Sequence, residues 1–187
     1  MRRELAVSCL VVGMVVASVA RSDDYTVDPA HAGVAFKISH LGLSWTQGRF
    51  NAIDGGFRVD PDPAKCGFTF TIQADSVDTG NAKRDEHLRS PDFFNSKQFP
   101  LIAFKSTAVT PIEGGYEVTG DLTLHGVTKA VVFAIKGGGS AEFPPGVQRT
   151  GYTSNFVLKR SEFGMDAMAG PVGDEVYISI SFEGVKR

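Results

Sequence analysis

The sequence predicts an all-β protein built as an antiparallel barrel or sandwich of about eight strands, and three observations support this prediction. Apolar and polar residues alternate with a period of two through most of the chain after Ala20. Turn-forming segments, such as Asp60 to Pro63 and Glu113-Gly114-Gly115, separate the alternating runs. Most of these runs have no crossover helix of a dozen residues between them, so neighbouring strands are expected to pair in the antiparallel sense.

The N-terminal segment has the pattern of a signal peptide. Arg2 and Arg3 form a basic start, Leu5 to Val16 is an apolar run, and Ser18-Val19-Ala20 supplies small residues for cleavage. The apolar run is shorter than the about 20 residues that a membrane-spanning helix needs, which disfavours an uncleaved anchor. We expect residues 1–20 to be a signal peptide cleaved near Ala20, and residues 21–187 to form one exported domain.

The strand pattern occurs in eight segments. Phe68, Phe70 and Ile72 fall on one face of the third segment, and the intervening polar residues fall on the other. Such alternation is typical of a sheet with one dry face and one wet face, so a closed barrel or a sandwich follows. In chain order the segments are residues 33–40, 47–59, 67–78, 101–109, 116–125, 127–136, 150–160 and 176–183.

Two segments break the alternation. Residues 82–89 have a helical composition, and Ser90-Pro91-Asp92 has the pattern of a new helix start, with serine as the cap and proline in the first turn. We therefore expect a short helical insertion near residues 82–95. The glycine-rich segment from Gly137 to Gly146 is expected to be a flexible loop between strands.

Composition and motifs disfavour several classes of function. The formal net charge is −2 and the chain has no basic run, whereas nucleic-acid binding needs clustered lysine and arginine. Neither a G-x-S-x-G nucleophile turn nor a phosphate-binding glycine loop occurs. His31, His40, His87 and His125 lack the spacings of common zinc sites, and Cys66 is the single cysteine after residue 20. We expect no catalytic residue, no cofactor and no metal.

The segment from Arg84 to Pro100 is the strongest local indication of a site. It places Arg84, Asp85, His87 and Arg89 in about one and a half helical turns and follows them with Phe93 and Phe94. One interpretation is a set of head-group contacts beside an aromatic lid over an apolar cavity. The alternative is a helical plug whose charges pair internally. The 14 phenylalanines do not decide between these, because an eight-stranded barrel either is filled by side chains or holds one small ligand.

Five motifs follow one another along almost the whole of the expected domain. They are YTVDPAHAGVAFKISHLGLSWTQGRF at 25–50, RDEHLRSPDFFNSKQFPLIAFKS at 84–106, GDLTLHGVTK at 120–129, RSEFGM at 160–165 and VGDEVYISISFEG at 172–184. In this order they resemble the YceI-like proteins, bacterial periplasmic polyisoprenoid-binding proteins with a lipocalin-like barrel. Lys159 is a departure, because the family often has aspartate at that position.

The resemblance implies an eight-stranded antiparallel lipocalin-like barrel around an apolar tunnel. A polyprenyl chain, a quinone tail or a similar lipid would lie in this tunnel with its head near the mouth. The resemblance also implies a periplasmic location and no stable membrane insertion, and homodimers are common among such proteins.

Alternation and the family motifs together predict the site residues. The predicted tunnel wall consists of Phe36, Phe50, Phe70, Phe104, Leu122, Phe133, Phe156 and Ile178. The predicted mouth and head-group contacts are His40, Trp45, Arg84, Asp85, His87, Phe93, Phe94 and Arg160. Arg84 and Arg160 would suit an anionic diphosphate, and Trp45 would suit an entrance that is apolar on one side and wet on the other.

The predicted function is non-catalytic binding, sequestration or transport of a long-chain polyisoprenoid or similar amphiphilic lipid in the periplasm. Two alternatives remain open. The first is a lipid-modifying enzyme that uses His87 and Asp85. The second is a barrel filled by its own side chains, which would act in stress or in protein interaction.

Overall fold

The structure is a computed structural model that describes residues 22–187. The predicted signal peptide at 1–20 lies outside the described residues. The described chain forms strands β1 to β10 and helix α1, with the bounds β1 Asp23–His40, β2 Ser44–Phe50, β3 Ile53–Val59, β4 Gly67–Gln73, β5 Val77–Asp78, α1 Ala82–Arg89, β6 Leu101–Ile112, β7 Gly115–Leu124, β8 Val127–Glu142, β9 Gln148–Lys159 and β10 Val172–Lys186.

Strand pairing closes the sheet into an antiparallel barrel. The ring passes through β1, β3, β4, β6, β7, β8, β9 and β10, and the last of these pairs back onto β1. β2 pairs with the second half of β1, and β5 pairs with the end of β2, so these two strands extend β3 and β4 toward one end of the barrel. The predicted eight-stranded antiparallel barrel is confirmed.

Two neighbouring strands are interrupted side by side, where the sequence predicts unbroken strands at 47–59 and 67–78. Asn51 N donates to Ser76 O at 3.1 Å, and Gln73 N donates to Ala52 O at 3.0 Å. The Ser76 hydroxyl also accepts from Ala52 N at 3.1 Å. These bonds take the place of the regular sheet hydrogen bonds at the bend. The first predicted strand is thereby divided into β2 and β3, and the second into β4 and β5.

The predicted loop at Gly137 to Gly146 is wrong for its first half, because β8 continues to Glu142. The register shifts between Gly137 and Ser140, which marks a bulge. Gly137 has φ 135°, and a Cβ there would lie 2.4 Å from Gly151 O. Glycine therefore lets β8 approach β9 closely and extend beyond the bulge.

The helical insertion is shorter than predicted. Asn81 caps α1 by accepting from Arg84 N at 3.1 Å, and the helix ends at Arg89. Ser90 does not start a second helix. Its backbone N–H instead donates to His87 O at 3.1 Å, and Phe94 N donates to Leu88 O at 2.9 Å. The segment after α1 is thereby folded back against the helix as a series of turns.

Aromatic rings fill the end of the barrel that contains the start of β1. Phe57 stacks on Tyr25 at 4.9 Å and on Phe68 at 5.6 Å between ring centroids, and Tyr152 meets Phe57 edge-on at 5.8 Å. Burial raises the pKa of Tyr152 to about 12, so its phenol is neutral at physiological pH. We call this the closed end, and the other end the mouth.

The ladder between β8 and β9 is incomplete toward the mouth. The two strands pair from Lys136 and Thr153 toward the closed end, and none of residues 127–135 pairs with any of 154–159. Side chains bridge the interval instead. Ser154 Oγ donates to Ala134 O at 2.7 Å, and the Phe133 and Phe156 rings stack with their centroids 4.7 Å apart.

An ion-pair cluster ties the first strand to the last two near the closed end. Arg149 Nη1 lies 2.6 Å from Asp28 Oδ2 and 3.3 Å from Glu183 Oε2. His31 Nδ1 lies 2.9 Å from Asp28 Oδ2, and Ala30 N donates to Asp28 Oδ1 at 3.0 Å. The bond from Arg149, followed by those from His31 and Ala30, holds the pKa of Asp28 well below its usual range.

We expect Asp28→Asn to lower the free energy of unfolding at pH 5, because an amide cannot replace the carboxylate that Arg149 binds. The folded-state pKa of Asp28 lies below the value of about 3.9 in an unfolded chain. The stabilisation is therefore present above about pH 4 and is lost as the pH falls toward the folded-state pKa. Urea unfolding at pH 5 and pH 2 should show a larger difference between variant and parent at pH 5.

Glu117→Gln is the matched control, since Glu117 is an exposed carboxylate on β7. Both pH values lie below the range in which histidine side chains usually titrate, so the comparison reports on the carboxylate. Equal stability of Asp28→Asn and parent at pH 5 would contradict this account.

Candidate binding cavity

An apolar cavity of about 190 Å³ lies inside the barrel between the closed end and the mouth. Ser154 and Arg160 are the polar residues on its lining, and every other lining residue is aliphatic, aromatic or methionine. An apolar cavity of roughly 150 Å³ is enough to hold benzene and stay dry. The interior of this barrel therefore has room for part of an apolar chain.

The structure places all eight predicted wall residues on the lining of this cavity. Each lies on the inward face of its strand, as the alternation predicts. Their role in ligand binding stays a prediction. The eight are Phe36, Phe50, Phe70, Phe104, Leu122, Phe133, Phe156 and Ile178.

Other lining residues were missed by sequence reasoning. Some, such as Ile38 and Val176, belong to the same alternating pattern and could have been found by extending it. Leu88 of α1, together with Phe163 and Met165 after β9, carries no period-two signal. Their contribution depends on how the non-strand segments fold over the mouth.

A second cavity of about 640 Å³ opens at the mouth. It shares Phe36, Ile38, Leu88, Phe93 and Val172 with the lining of the inner cavity, so the two spaces adjoin each other at these side chains. Its lining is more polar than that of the inner cavity. The polar members are Ser39, His40, Ser44, Thr46, Gln47, Thr79, Arg84 and His87.

The predicted mouth residues divide into three groups. His40, Trp45, Arg84, His87 and Phe93 line the mouth. Phe94 and Arg160 line the inner cavity instead, and Asp85 lines neither space.

Asp85 is buried and is used to fix the segment before α1. One oxygen, Oδ1, accepts from Thr79 N at 2.9 Å and from the Thr79 hydroxyl. Arg84 packs on the same threonine, donating from Nε to Oγ1 at 2.7 Å and from Nη2 to Thr79 O at 2.8 Å. Asp85 is therefore a positioning residue for Arg84 and not a head-group contact.

His87 pairs with Asp92 and not with Asp85. Its Nε2 lies 2.8 Å from Asp92 Oδ2, and its ring meets Phe93 edge-on at 5.0 Å. Of the two residues that the enzyme alternative uses, His87 lines the mouth and Asp85 lines neither cavity.

Arg160 holds the connection between β9 and β10. It is 6% exposed, and Nε donates to Gly173 O at 2.8 Å, while Nη2 donates to Val172 O at 3.1 Å. Nη1 donates to Met165 O at 2.5 Å and to Ala167 O at 2.7 Å. The prediction of Arg160 as a head-group contact is not retained, because four backbone carbonyls already occupy its guanidinium.

We expect Arg160→Met to destabilise the fold by about 1–3 kcal/mol, because carbonyls that the guanidinium satisfies would lose a buried donor. Arg84→Met is the control, since Arg84 is exposed and its loss should change stability by less than about 0.5 kcal/mol. Urea unfolding followed by circular dichroism measures both. An Arg160→Met variant as stable as the parent would show that the guanidinium does not anchor the connection.

A closed eight-stranded antiparallel barrel with an apolar cavity open at one end has the architecture of a lipocalin-like barrel. Residues 25–184 match the family model described as the YceI-like domain. The chain therefore belongs to the YceI-like family.

Individual relatives agree with this assignment. A UPF0312 protein of Pseudomonas aeruginosa (strain LESB58) is 39% identical over 190 residues, covering 100% of each chain. The crystal structure of Burkholderia cenocepacia BcnA has a TM-score of 0.73 and 26% identity, covering 84% of this chain and 98% of that one. A polyisoprenoid binding domain from Saccharophagus degradans has a TM-score of 0.65 over 87% of this chain and 98% of that one. At 16% identity, this last likeness concerns the fold alone.

No helix among residues 22–187 is long and apolar enough to cross a membrane. No three or more histidine, cysteine or acidic side chains come together there in a group that could hold a metal ion.

Proposed function

We propose that this protein binds a long-chain polyisoprenoid or a similar amphiphilic lipid without catalysing a reaction on it. The tail lies in the inner cavity and the polar end lies at the mouth. The observation that carries the proposal is that an almost wholly apolar cavity adjoins a partly polar opening and shares five lining residues with it. Such a gradient matches the two ends of an amphiphile.

The binding energy comes from apolar burial. Each methylene moved from water into the cavity contributes about 0.8 kcal/mol, so an isoprenoid needs no directed hydrogen bond inside the barrel. A charged or strongly polar tail would lose its hydration there without finding partners. The lining therefore selects against polar ligands before any head-group contact is made.

The filled closed end sets the direction of binding. Phe57, Phe68 and Tyr152 block the barrel beyond the cavity. A linear ligand enters through the mouth with its apolar end first, and its remaining length lies in the larger space at the mouth. This arrangement puts a head group beside α1.

Arg84 is the cation best placed for an anionic head group. It lines the mouth and is oriented by Thr79 through Nε and Nη2. Within the described residues, its Nη1 donates to no other group. His40 and His87 line the same space and add further polar contacts.

The family supports the same proposal. The structural neighbour from Saccharophagus degradans is described as a polyisoprenoid binding domain, and the chain belongs to the YceI-like family. We further propose that residues 1–20 are removed as a signal peptide and that the domain of residues 21–187 acts as a carrier or sink in the periplasm, where it forms a homodimer.

The alternatives have less support. The filled-barrel alternative fits the closed end only, because a cavity of about 190 Å³ lies between the aromatic rings of that end and the mouth. The enzyme alternative is less favoured because His87 pairs with Asp92, while the Asp85 carboxylate is buried and bonded to Thr79.

We expect Leu122→Trp to reduce binding of an apolar dye, because the larger ring would occupy the cavity that Leu122 lines. Titration with 1-N-phenylnaphthylamine should show a loss of affinity of about tenfold or more, and native mass spectrometry should show less co-purifying lipid. Val132→Trp is the matched control, since Val132 lies on the outward face of β8 and is exposed. Unchanged dye affinity in a folded Leu122→Trp variant would remove the cavity from the proposal.

We expect Arg84→Met to weaken binding of farnesyl diphosphate by about tenfold and to leave binding of farnesol unchanged. The two ligands share a tail, so the difference isolates the charge-assisted contact to the head group. Arg49→Met is the control, because Arg49 is an exposed arginine on the outer face of β2. An equal loss for both ligands would assign Arg84 to the shape of the mouth and not to head-group recognition.

A further inference from the structure

Exposed apolar side chains lie along one edge of the mouth. Leu43 is 85% exposed, Leu41 56%, and Trp45 and Met168 48% each. Single exposed apolar side chains are common on folded proteins, whereas several large ones at one edge are typical of an interaction surface. We call these four residues the apolar rim.

Three rim residues belong to two connections that are bonded to each other, and Trp45 is the second residue of β2. Leu41 N donates to Pro171 O at 2.7 Å, which joins the turn between β1 and β2 to the connection between β9 and β10. Leu43 N donates to His40 O at 3.0 Å, and Val172 N donates to Met168 O at 3.0 Å. These bonds hold the two connections at the same edge of the barrel.

Two rim residues adopt a backbone conformation that favours glycine. Leu41 has φ 53° and Met168 has φ 54°, although Gly42 and Gly170 stand within two residues of them. A side chain with a Cβ is strained there, and neither side chain is buried in exchange for the strain. At Leu41 the turn between β1 and β2 requires this conformation, since Gly42 also has a positive φ and Leu43 N donates to His40 O. The sequence nevertheless places an exposed leucine and not a second glycine there.

The fourth rim residue is part of an aromatic and cationic group. The Trp45 ring meets the Tyr177 ring edge-on at 5.2 Å. Lys37 Nζ lies 5.0 Å from the Trp45 ring centroid and 5.4 Å from that of Tyr177. Tryptophan, tyrosine and lysine are the side chains that settle at the boundary between hydrocarbon and water in membranes.

We propose that the apolar rim docks on the surface of a lipid bilayer, with Leu41, Leu43 and Met168 among the acyl chains and Trp45 at the level of the head groups. The shape of the rim favours this partner over a folded protein. The rim borders a hollow of about 640 Å³, which a rigid surface would leave empty and fluid acyl chains can fill. The hollow adjoins the inner cavity, so docking would place the bilayer next to the space that the proposed ligand occupies.

Charge around the rim does not select an anionic surface. Lys37 lies over the Trp45 ring, and His40 and Arg84 line the mouth. Of the carboxylates, Asp92 bonds His87, Glu175 accepts from the Tyr177 hydroxyl, and Asp166 lies two residues before Met168. With both signs present, docking depends on apolar insertion, and it should change little with salt. This inference goes beyond the proposed function, since docking requires no ligand in the cavity.

Trp45 is the single tryptophan of the chain and reports on docking directly. The protein is produced from the complete sequence in an exporting bacterial host, and its mass is measured so that its N-terminus is known. On titration with phosphatidylcholine vesicles, Trp45 emission should shift to shorter wavelength and the protein should sediment with the vesicles at low and high salt.

Leu43→Ser should weaken vesicle binding by about tenfold or more, because the side chain that reaches farthest into solvent is lost. Phe143→Ser is the matched control. Phe143 is 73% exposed and lies in the connection between β8 and β9 at the closed end, so its replacement should leave vesicle binding unchanged. Dye uptake in vesicle-free solution should be the same for both variants, which separates docking from ligand binding.

Three results would overturn the inference. The first is a parent protein that neither sediments with the vesicles nor shifts its emission. The second is an equal effect of Leu43→Ser and Phe143→Ser. The third is a dimer that dissociates on Leu43→Ser without vesicle binding by the parent, measured by light scattering after size-exclusion chromatography, because a second copy of the chain would then cover the rim.

Discussion

Antiparallel pairing of β10 with β1 is the constraint on which the rest of this structure depends. It joins the two ends of the described chain and removes the outer edges of the sheet, with Phe36 opposite Ile178 and Val34 opposite Ile180. Once the sheet is closed, every second side chain must point inward. Eight strands leave an interior only as wide as a few side chains, so ring placement decides what remains open. Rings occupy the closed end, and aliphatic residues dominate the wall nearer the mouth.

The mouth exists because the chain leaves the sheet at one place. β5 ends at Asp78, and the chain returns as β6 at Leu101, after α1 and a series of turns. The start of β2 therefore lacks a second strand neighbour, and α1 supplies Leu88, Arg84 and His87 in its place. On the opposite side, Arg160 donates hydrogen bonds to backbone carbonyls of the connection between β9 and β10. The opening is thus held by hydrogen bonds outside the ladder, which lets it carry polar groups while the barrel wall stays apolar.

The period-two pattern was enough to predict the strands and the side chains that point into the barrel. In an extended chain, successive side chains point to opposite faces, so this direction is set locally. Phe70 and Ile178 illustrate this, since each falls on the lining of the cavity. The pattern failed where partners come from elsewhere in the fold. Nothing near Arg160 in sequence indicates that carbonyls up to 13 residues away satisfy it. Glycines 137 and 138 have the composition of a loop, yet close contact with β9 makes them a bulge. Lys83, Arg84 and His87 lie within two residues of Asp85 in the sequence, yet the Asp85 carboxylate accepts its hydrogen bonds from Thr79.

The incomplete ladder between β8 and β9 leaves one stretch of the barrel wall without backbone hydrogen bonds between neighbouring strands. Elsewhere around the ring, widening the wall would break backbone hydrogen bonds. Along residues 127–135 and 154–159 it would break the bond from Ser154 Oγ to Ala134 O and separate two stacked phenylalanine rings. This side of the wall is therefore held by a few side-chain contacts and not by a continuous ladder of backbone hydrogen bonds. Under the proposed function, an apolar tail in the cavity would meet the least constrained part of the wall at Phe133 and Phe156.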